Sequence, residues 1–128
     1  MSNRVIIGIG SNIDPCHYVA AAVEILASRT TLLAQSPTVR TKPIGRPEQD
    51  DYLNTCVLLA TDMDQPALQR WLHEVEQTLG RHRTADRYAP RTIDLDVLVW
   101  NGEIVSPDVA EREFLQDALC DLGFSWEE

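Results

Sequence analysis

The sequence predicts an α+β fold, with helices covering one antiparallel β-sheet. Three observations carry that expectation. Runs rich in β-branched residues stand near residues 4–9, 32–41, 52–61 and 92–100. Two intervening stretches repeat apolar residues every three and four positions, the period of an amphipathic helix. Glycine, proline and asparagine mark the joints between them.

Arg4–Ile9 reads as a buried strand, and Gly8, Gly10, Ser11 and Asn12 read as the turn that ends it. Asp14-Pro15 is an N-cap followed by proline at the first helical position. The helix from Cys16 to about Ser28 buries Val19, Ala22, Val23 and Leu26. A strand from about Leu32 to Thr41 follows, then a loop over Lys42–Asp51 with two prolines and a glycine. Tyr52–Thr61 is the next strand. Asp64 caps a second helix with Pro66 in its first turn, an apolar stripe of Leu68, Trp71, Leu72, Val75 and Leu79, and Gly80 as the stop. An arginine-rich loop over 81–91 leads to the strand Thr92–Trp100. Asn101-Gly102 turns the chain into a short edge strand, Glu103–Val105, and a last helix covers Ala110–Leu119. The order βαββαβ with a terminal helix is that of a ferredoxin-like α/β sandwich with a four-stranded antiparallel sheet.

At 128 residues the chain is one domain by the prior of roughly 100–200 residues per domain. Hydrophobic content of 44% against 24% charged is globular composition and excludes disorder as the default. Val5–Ile9 and Val97–Trp100 are too short to span a bilayer, and the first four residues run straight into a strand without a signal-peptide layout. Cys16, Cys56 and Cys120 are odd in number and lack a CxxC, so neither a disulfide scaffold nor a zinc site is expected. They read as small buried apolar residues of a cytoplasmic protein. Net charge of −9 argues against nucleic-acid binding. Its distribution is uneven: Arg81, Arg83, Arg87 and Arg91 crowd one loop, opposed only by Asp86. Ten of the eleven cations are arginine, the side chain suited to forked contacts with phosphate oxygens.

The sharpest local signal is Asp94-Leu95-Asp96 in the last long strand. Side chains alternate along a strand, so Ile93, Leu95, Val97 and Val99 are expected on one face and the two carboxylates on the other, about 7 Å apart. Such a pair is most often a solvated polar face. Next to the arginine loop it becomes a candidate magnesium site, because magnesium takes one or two carboxylates and completes its shell with water and phosphate. Metal and guanidinium groups at one rim are what the handling of a polyphosphate requires. His17 and His82 are expected to be exposed, and no Ser-His-Asp or Cys-His arrangement can be built.

Gly80-Arg81-His82-Arg83, followed by Arg87-Tyr88-Ala89-Pro90-Arg91-Thr92-Ile93-Asp94-Leu95-Asp96, resembles the signature of the 6-hydroxymethyl-7,8-dihydropterin pyrophosphokinase (HPPK) family. Ile9-Gly10-Ser11-Asn12, Arg40-Thr41-Lys42-Pro43-Ile44-Gly45 and Tyr52-Leu53-Asn54 resemble it too, and the similarity covers about residues 4–105. The resemblance implies a ferredoxin-like fold and a single domain over 1–128. It implies transfer of pyrophosphate from ATP to a pterin hydroxymethyl oxygen, releasing AMP, in folate biosynthesis. By the same resemblance Asp94 and Asp96 would hold two magnesium ions. Arg81 and Arg91 would clamp phosphates at the reaction centre, with Arg83, Arg87 and Arg112 assisting ATP. His73, Glu76 and the backbone of Val97 would lie near the nucleotide. Tyr52 and Asn54 would read the pterin, Thr41 and Ile44 would line its pocket, and Tyr88 and Phe114 would be aromatic contacts. The partners implied are small molecules, with no nucleic acid and no membrane, and the chain is expected to act as a monomer.

The sequence departs from the family pattern in three places. Tyr88 stands for the usual tryptophan and Ala89 for the usual glycine. After Val105 the family's Pro-His segment is shortened, so no histidine follows His82 and Arg112-Glu113-Phe114 comes at once. The chain also ends earlier than typical relatives. Three readings stay open at this level: a pyrophosphokinase, a non-catalytic or weakly active pterin- or nucleotide-binding relative, and a regulatory domain whose paired aspartates are merely solvated.

Overall fold

In the computed structural model, which describes residues 2–43, 48–81 and 92–124, strand β1 (Asn3–Ser11) runs through the middle of a single sheet. Val5, Ile7 and Ile9 fill one face of it and Ile6 the other, which suits a central strand covered on both sides. The element order continues with α1 (Pro15–Arg29), β2 (Thr31–Gln35), β3 (Val39–Thr41), β4 (Tyr52–Thr61), α2 (Gln65–Thr78) and β5 (Asp94–Trp100). It closes with β6 (Glu103–Ile104), α3 (Asp108–Glu111) and α4 (Glu113–Asp121). The sheet has the order β2-β4-β1-β5-β6, with β3 also pairing β4. Each of the five strand pairs is antiparallel. This is the expected α+β ferredoxin-like architecture, enlarged from four strands to six.

Helices α1 and α2 cover one face. Leu26, Leu59 and Leu68 are fully buried there among Val5, Ile7, Leu95 and Val97, and each contributes on the order of 1.5–3 kcal/mol by leaving water. Helix α4 covers part of the other face, packing Leu115, Ala118 and Leu119 on Ile6, Cys56 and Leu98.

Five local expectations are corrected. Gly8 and Gly10 are not a turn; they lie inside β1, each paired across to β4 and β5. The strand expected over 32–41 is two strands, because Pro37 cannot donate to the ladder. Ser36 anchors the break: its N–H donates to the Cys56 carbonyl (2.9 Å), and its carbonyl accepts from Thr55 Oγ1 (2.8 Å). Asp14 occupies the N-cap position of α1, but at φ 43° its side chain caps nothing; its carbonyl instead accepts from His17 and Tyr18. A bulge at Leu98 shifts the register between Ile6 and Ile7, so Val99 joins the α4 side instead of sharing a face with Leu95 and Val97. The last helix breaks at Arg112, whose backbone is extended, into α3 and α4.

Other signals act as expected. Asp64 accepts the Ala67 N–H at 2.9 Å and caps α2. Asn101 and Gly102 take positive φ (49° and 85°) in the two-residue turn, and Asn101 Oδ1 accepts the Arg4 N–H at 2.8 Å. Among the described residues no helix is long and apolar enough to cross a membrane.

The cysteines divide. Cys56 is buried, and burial pushes its thiol up to about 12, whereas Cys16 and Cys120 are exposed. The thiolate is the reactive form, and a pKa raised to about 12 leaves almost none of it at pH 8. A chromogenic disulfide reagent at pH 8 should therefore titrate two thiols rapidly in native protein and the third only in denaturant. Three fast thiols would contradict this packing.

Candidate functional site

The site begins with the two glycines of β1. Register pairs Gly10 with Asn54 on one side and Asp94 on the other, and Gly8 with Cys56 and Asp96. Residues two apart on a strand share a face, so Gly8 and Gly10 form a bare floor between the β4 and β5 side chains. A Cβ on Gly10 would stand 2.9 Å from Asn54 Oδ1, and one on Gly8 would stand 3.1 Å from Leu98 Cδ1. The missing side chains leave room for a cavity of about 330 Å³ on the sheet face that α4 leaves uncovered.

Tyr52 and Asn54 form one wall of this cavity, Asp94 and Asp96 the opposite wall. Adjacent strands lie about 4.8 Å apart, so the two walls are separated by roughly 10 Å across β1. Thr41, Lys42 and Pro43 close the side beyond β3, and Thr41 Oγ1 accepts from Asn54 Nδ2 at 2.6 Å, which orients the amide. Asp108, Glu111, Arg112 and Phe114 come in from the α3–α4 junction. Arg112 Nη2 lies 3.9 Å from Asp108 Oδ1.

The aspartate wall is braced from behind. Glycine at φ 85° lets α2 end in a nested pair of bonds, Gly80 N–H to the Gln77 carbonyl and Arg81 N–H to the Glu76 carbonyl, both 3.0 Å. That turn brings Arg81 Nη1 within 2.7 Å of Glu76 Oε2 and 3.0 Å of Asp94 Oδ1. Asp96 stands open to the cavity on one side and crowded on the other. Burial first, then Asp94, Glu76 and Asp108, push its carboxyl up to about 7, with Arg81 pulling the other way. An aspartate ordinarily ionises near 3.8, so between those values the folded chain keeps a proton that the unfolded chain has released. Stability therefore falls as pH rises through that window.

Of the residues named from sequence, Thr41, Tyr52, Asn54, Asp94, Asp96, Arg112 and Phe114 line one cavity. Arg81 lies just behind it, bonded to Asp94. His73 is exposed on α2, and the Val97 side chain is buried in the core beneath that helix; neither lines the cavity. Glu76 is buried and also outside the wall. Ile44, Arg83, Arg87, Tyr88 and Arg91 lie outside the described residues. Sequence reasoning missed Gly8, Gly10, Asp108 and Glu111. The alternating Gly8-Ile9-Gly10 inside an apolar strand was the available signal for the floor; nothing in the sequence singles out Asp108 or Glu111.

Among the described residues no group of three or more His, Cys, Asp or Glu is arranged to hold a metal ion. Asp94 and Asp96 are a pair of hard oxygen donors facing an open cavity. That donor set fits magnesium, which keeps water and phosphate in most of its shell.

Comparison with known proteins decides the family. The sequence profile of 7,8-dihydro-6-hydroxymethylpterin-pyrophosphokinase (HPPK) matches residues 6–123. The chain belongs to the HPPK family. It is 36% identical to a 2-amino-4-hydroxy-6-hydroxymethyldihydropteridine pyrophosphokinase of Methylorubrum extorquens, across 94% of this chain and 82% of that protein. Proteins of the same name from Haemophilus influenzae and Bacillus subtilis are each 32% identical, across 91% and 95% of this chain and 79% of their own lengths.

The Gly80 turn that aims Arg81 is open to test. Among the described residues, chain neighbours aside, no atom lies within 4 Å of a Cβ built there, so the cost of Gly80→Ala is the left-handed backbone strain, about 1–2 kcal/mol. Urea unfolding should show that loss of stability. An unchanged midpoint would mean that the turn does not depend on glycine.

Proposed function

We propose that this cavity is the active site of an HPPK enzyme, with magnesium held at Asp94 and Asp96 and the pterin held against Tyr52 and Asn54. The overall reaction is that of the family: pyrophosphate passes from ATP to the hydroxymethyl group of 6-hydroxymethyl-7,8-dihydropterin, a step of folate biosynthesis. The hydroxymethyl oxygen bonds to the β-phosphorus as the bond to the α-phosphate bridging oxygen breaks, and AMP leaves. The observation that carries the reading is the single cavity with an aromatic–amide wall facing a paired-carboxylate wall across a glycine floor.

Each wall suits one substrate. The Tyr52 ring offers a face on which a flat heterocycle stacks, and Phe114 offers a second aromatic surface. Asn54 presents an amide, oriented by Thr41, to the polar edge of that ring. Magnesium, when bound, would neutralise phosphate charge and orient the phosphates for in-line attack. Arg81 and Arg91 stabilise the charge that builds on the transferring group, and Arg83, Arg87 and Arg112 assist ATP. Such a transfer asks the protein for positioning and electrostatics, and these residues supply both without the histidine segment that the sequence shortens. The enzyme works as a cytoplasmic monomer on two small-molecule substrates.

Asp96→Ala removes a side chain exposed at the cavity and leaves the core untouched. It should fold like the parent but lose magnesium-dependent binding of a non-hydrolysable ATP analogue in calorimetric titration. Equal binding by parent and variant would overturn the metal assignment.

Arg91→Ala should lower AMP production by roughly two to three powers of ten, the cost typical of one lost electrostatic donor. Pterin affinity, followed by fluorescence, should barely change, because a guanidinium gains most from charge that the pterin alone lacks. Parent protein that binds both substrates yet releases no AMP above background would overturn the enzyme reading.

A further inference from the structure

Glu76 does not line the cavity, although the resemblance places it with the nucleotide. It is 3% exposed, and one of its oxygens already has two donors. Oε2 accepts from Arg81 Nη1 at 2.7 Å and from the Leu95 N–H at 2.9 Å. Leu95 is the residue between the two aspartates. Strand β6 pairs only with Val99 and Trp100, so it does not reach that donor. The same Arg81 nitrogen donates to Asp94 Oδ1 at 3.0 Å, and the Arg81 N–H is held by the Glu76 carbonyl. Helix end, arginine, first aspartate and the intervening peptide thus close into one ring through Glu76.

We propose that Glu76 is a positioning residue, setting the aspartate pair and Arg81 relative to one another without touching the nucleotide. This rests on the reading of Asp94 and Asp96 as metal ligands. A buried ion pair returns little net stability after desolvation, so what this one supplies is geometry. A carboxylate is needed because its negative charge holds the guanidinium while the same oxygen accepts a peptide N–H. Glutamine keeps the length and one acceptor oxygen but loses the charge that holds Arg81. The guanidinium is then left to Asp94 alone and competes with the metal for that carboxylate.

The test uses the full chain and its Glu76→Gln variant. Mn2+ binding is measured by electron paramagnetic resonance with a non-hydrolysable ATP analogue present. Affinities for the metal-free analogue and for the pterin are measured beside it. The expected result is a Mn2+ affinity reduced about tenfold or more, with the other two changed less than twofold. A fall in metal-free nucleotide affinity would make Glu76 a nucleotide contact and overturn the proposal. Three affinities falling together, or none changing, would also overturn it. Should the variant not fold, the parent still decides. Its Leu95 amide proton must exchange at least a hundredfold more slowly than in an unstructured chain, and free exchange there overturns the proposal. Parent and Asp96→Ala binding Mn2+ equally would instead remove the metal reading on which it rests.

Discussion

The site depends on one buried cation. Arg81 has a side chain 11% exposed, and a charge taken so far out of water requires a partner of opposite sign. It has two, Glu76 from α2 and Asp94 from β5, and these are the two elements that Arg81 lies between in sequence. Satisfying the charge therefore fixes the end of the helix against the start of the strand. Removing either carboxylate would leave the cation with half its compensation, the kind of loss that costs far more than a surface pair.

A second constraint shapes the cavity. Apolar residues supply both faces of β1, but its pocket face changes from Ile6 to Gly8 and Gly10 within three rungs. Where isoleucine stands, α4 packs down; where glycine stands, Asn54 and Leu98 lean across and the surface opens. The same strand therefore provides core at one end and a binding floor at the other. The bulge at Leu98 falls between these regimes. It lets Asp94 and Asp96 face the cavity while Val99 turns back into the smaller core.

These features differ in how far the sequence discloses them. The helical stripes of α1 and α2, the Asp64 cap, the Gly80 stop and the alternation of Asp94 and Asp96 are local, and each was legible. Tyr52 and Asn54 were legible as a pair only through resemblance, since nothing local says that a strand-start tyrosine will meet two aspartates from residues 94–96. That meeting is a matter of register, set by pairing across the whole of β1. The split was written in Pro37 itself, whereas the Leu98 bulge escaped because a period-two pattern does not record which strand lies opposite. The Glu76 carboxylate escaped for another reason. A glutamate on a helix reads as surface, and its pairing with Arg81 just past the helix end and with the Leu95 N–H of another element is what offsets its burial.

Charge brings these pieces to one conclusion about how the site works. The described cavity wall carries Asp94, Asp96, Asp108 and Glu111 but only Lys42 and Arg112 as cations, on a chain of net charge −9. A polyphosphate approaching that wall alone meets like charge at short range in a partly dry pocket, where repulsion is strong. The opposite wall of Tyr52, Asn54 and Thr41 is neutral. The two halves of the cavity thus differ in charge. For the acidic half to attract a phosphate, cations must offset its carboxylates, the role proposed above for magnesium at Asp94 and Asp96. An acidic wall is therefore no obstacle to binding an anion. Under the proposal of magnesium at Asp94 and Asp96, that wall would instead make tight nucleotide binding depend on the metal.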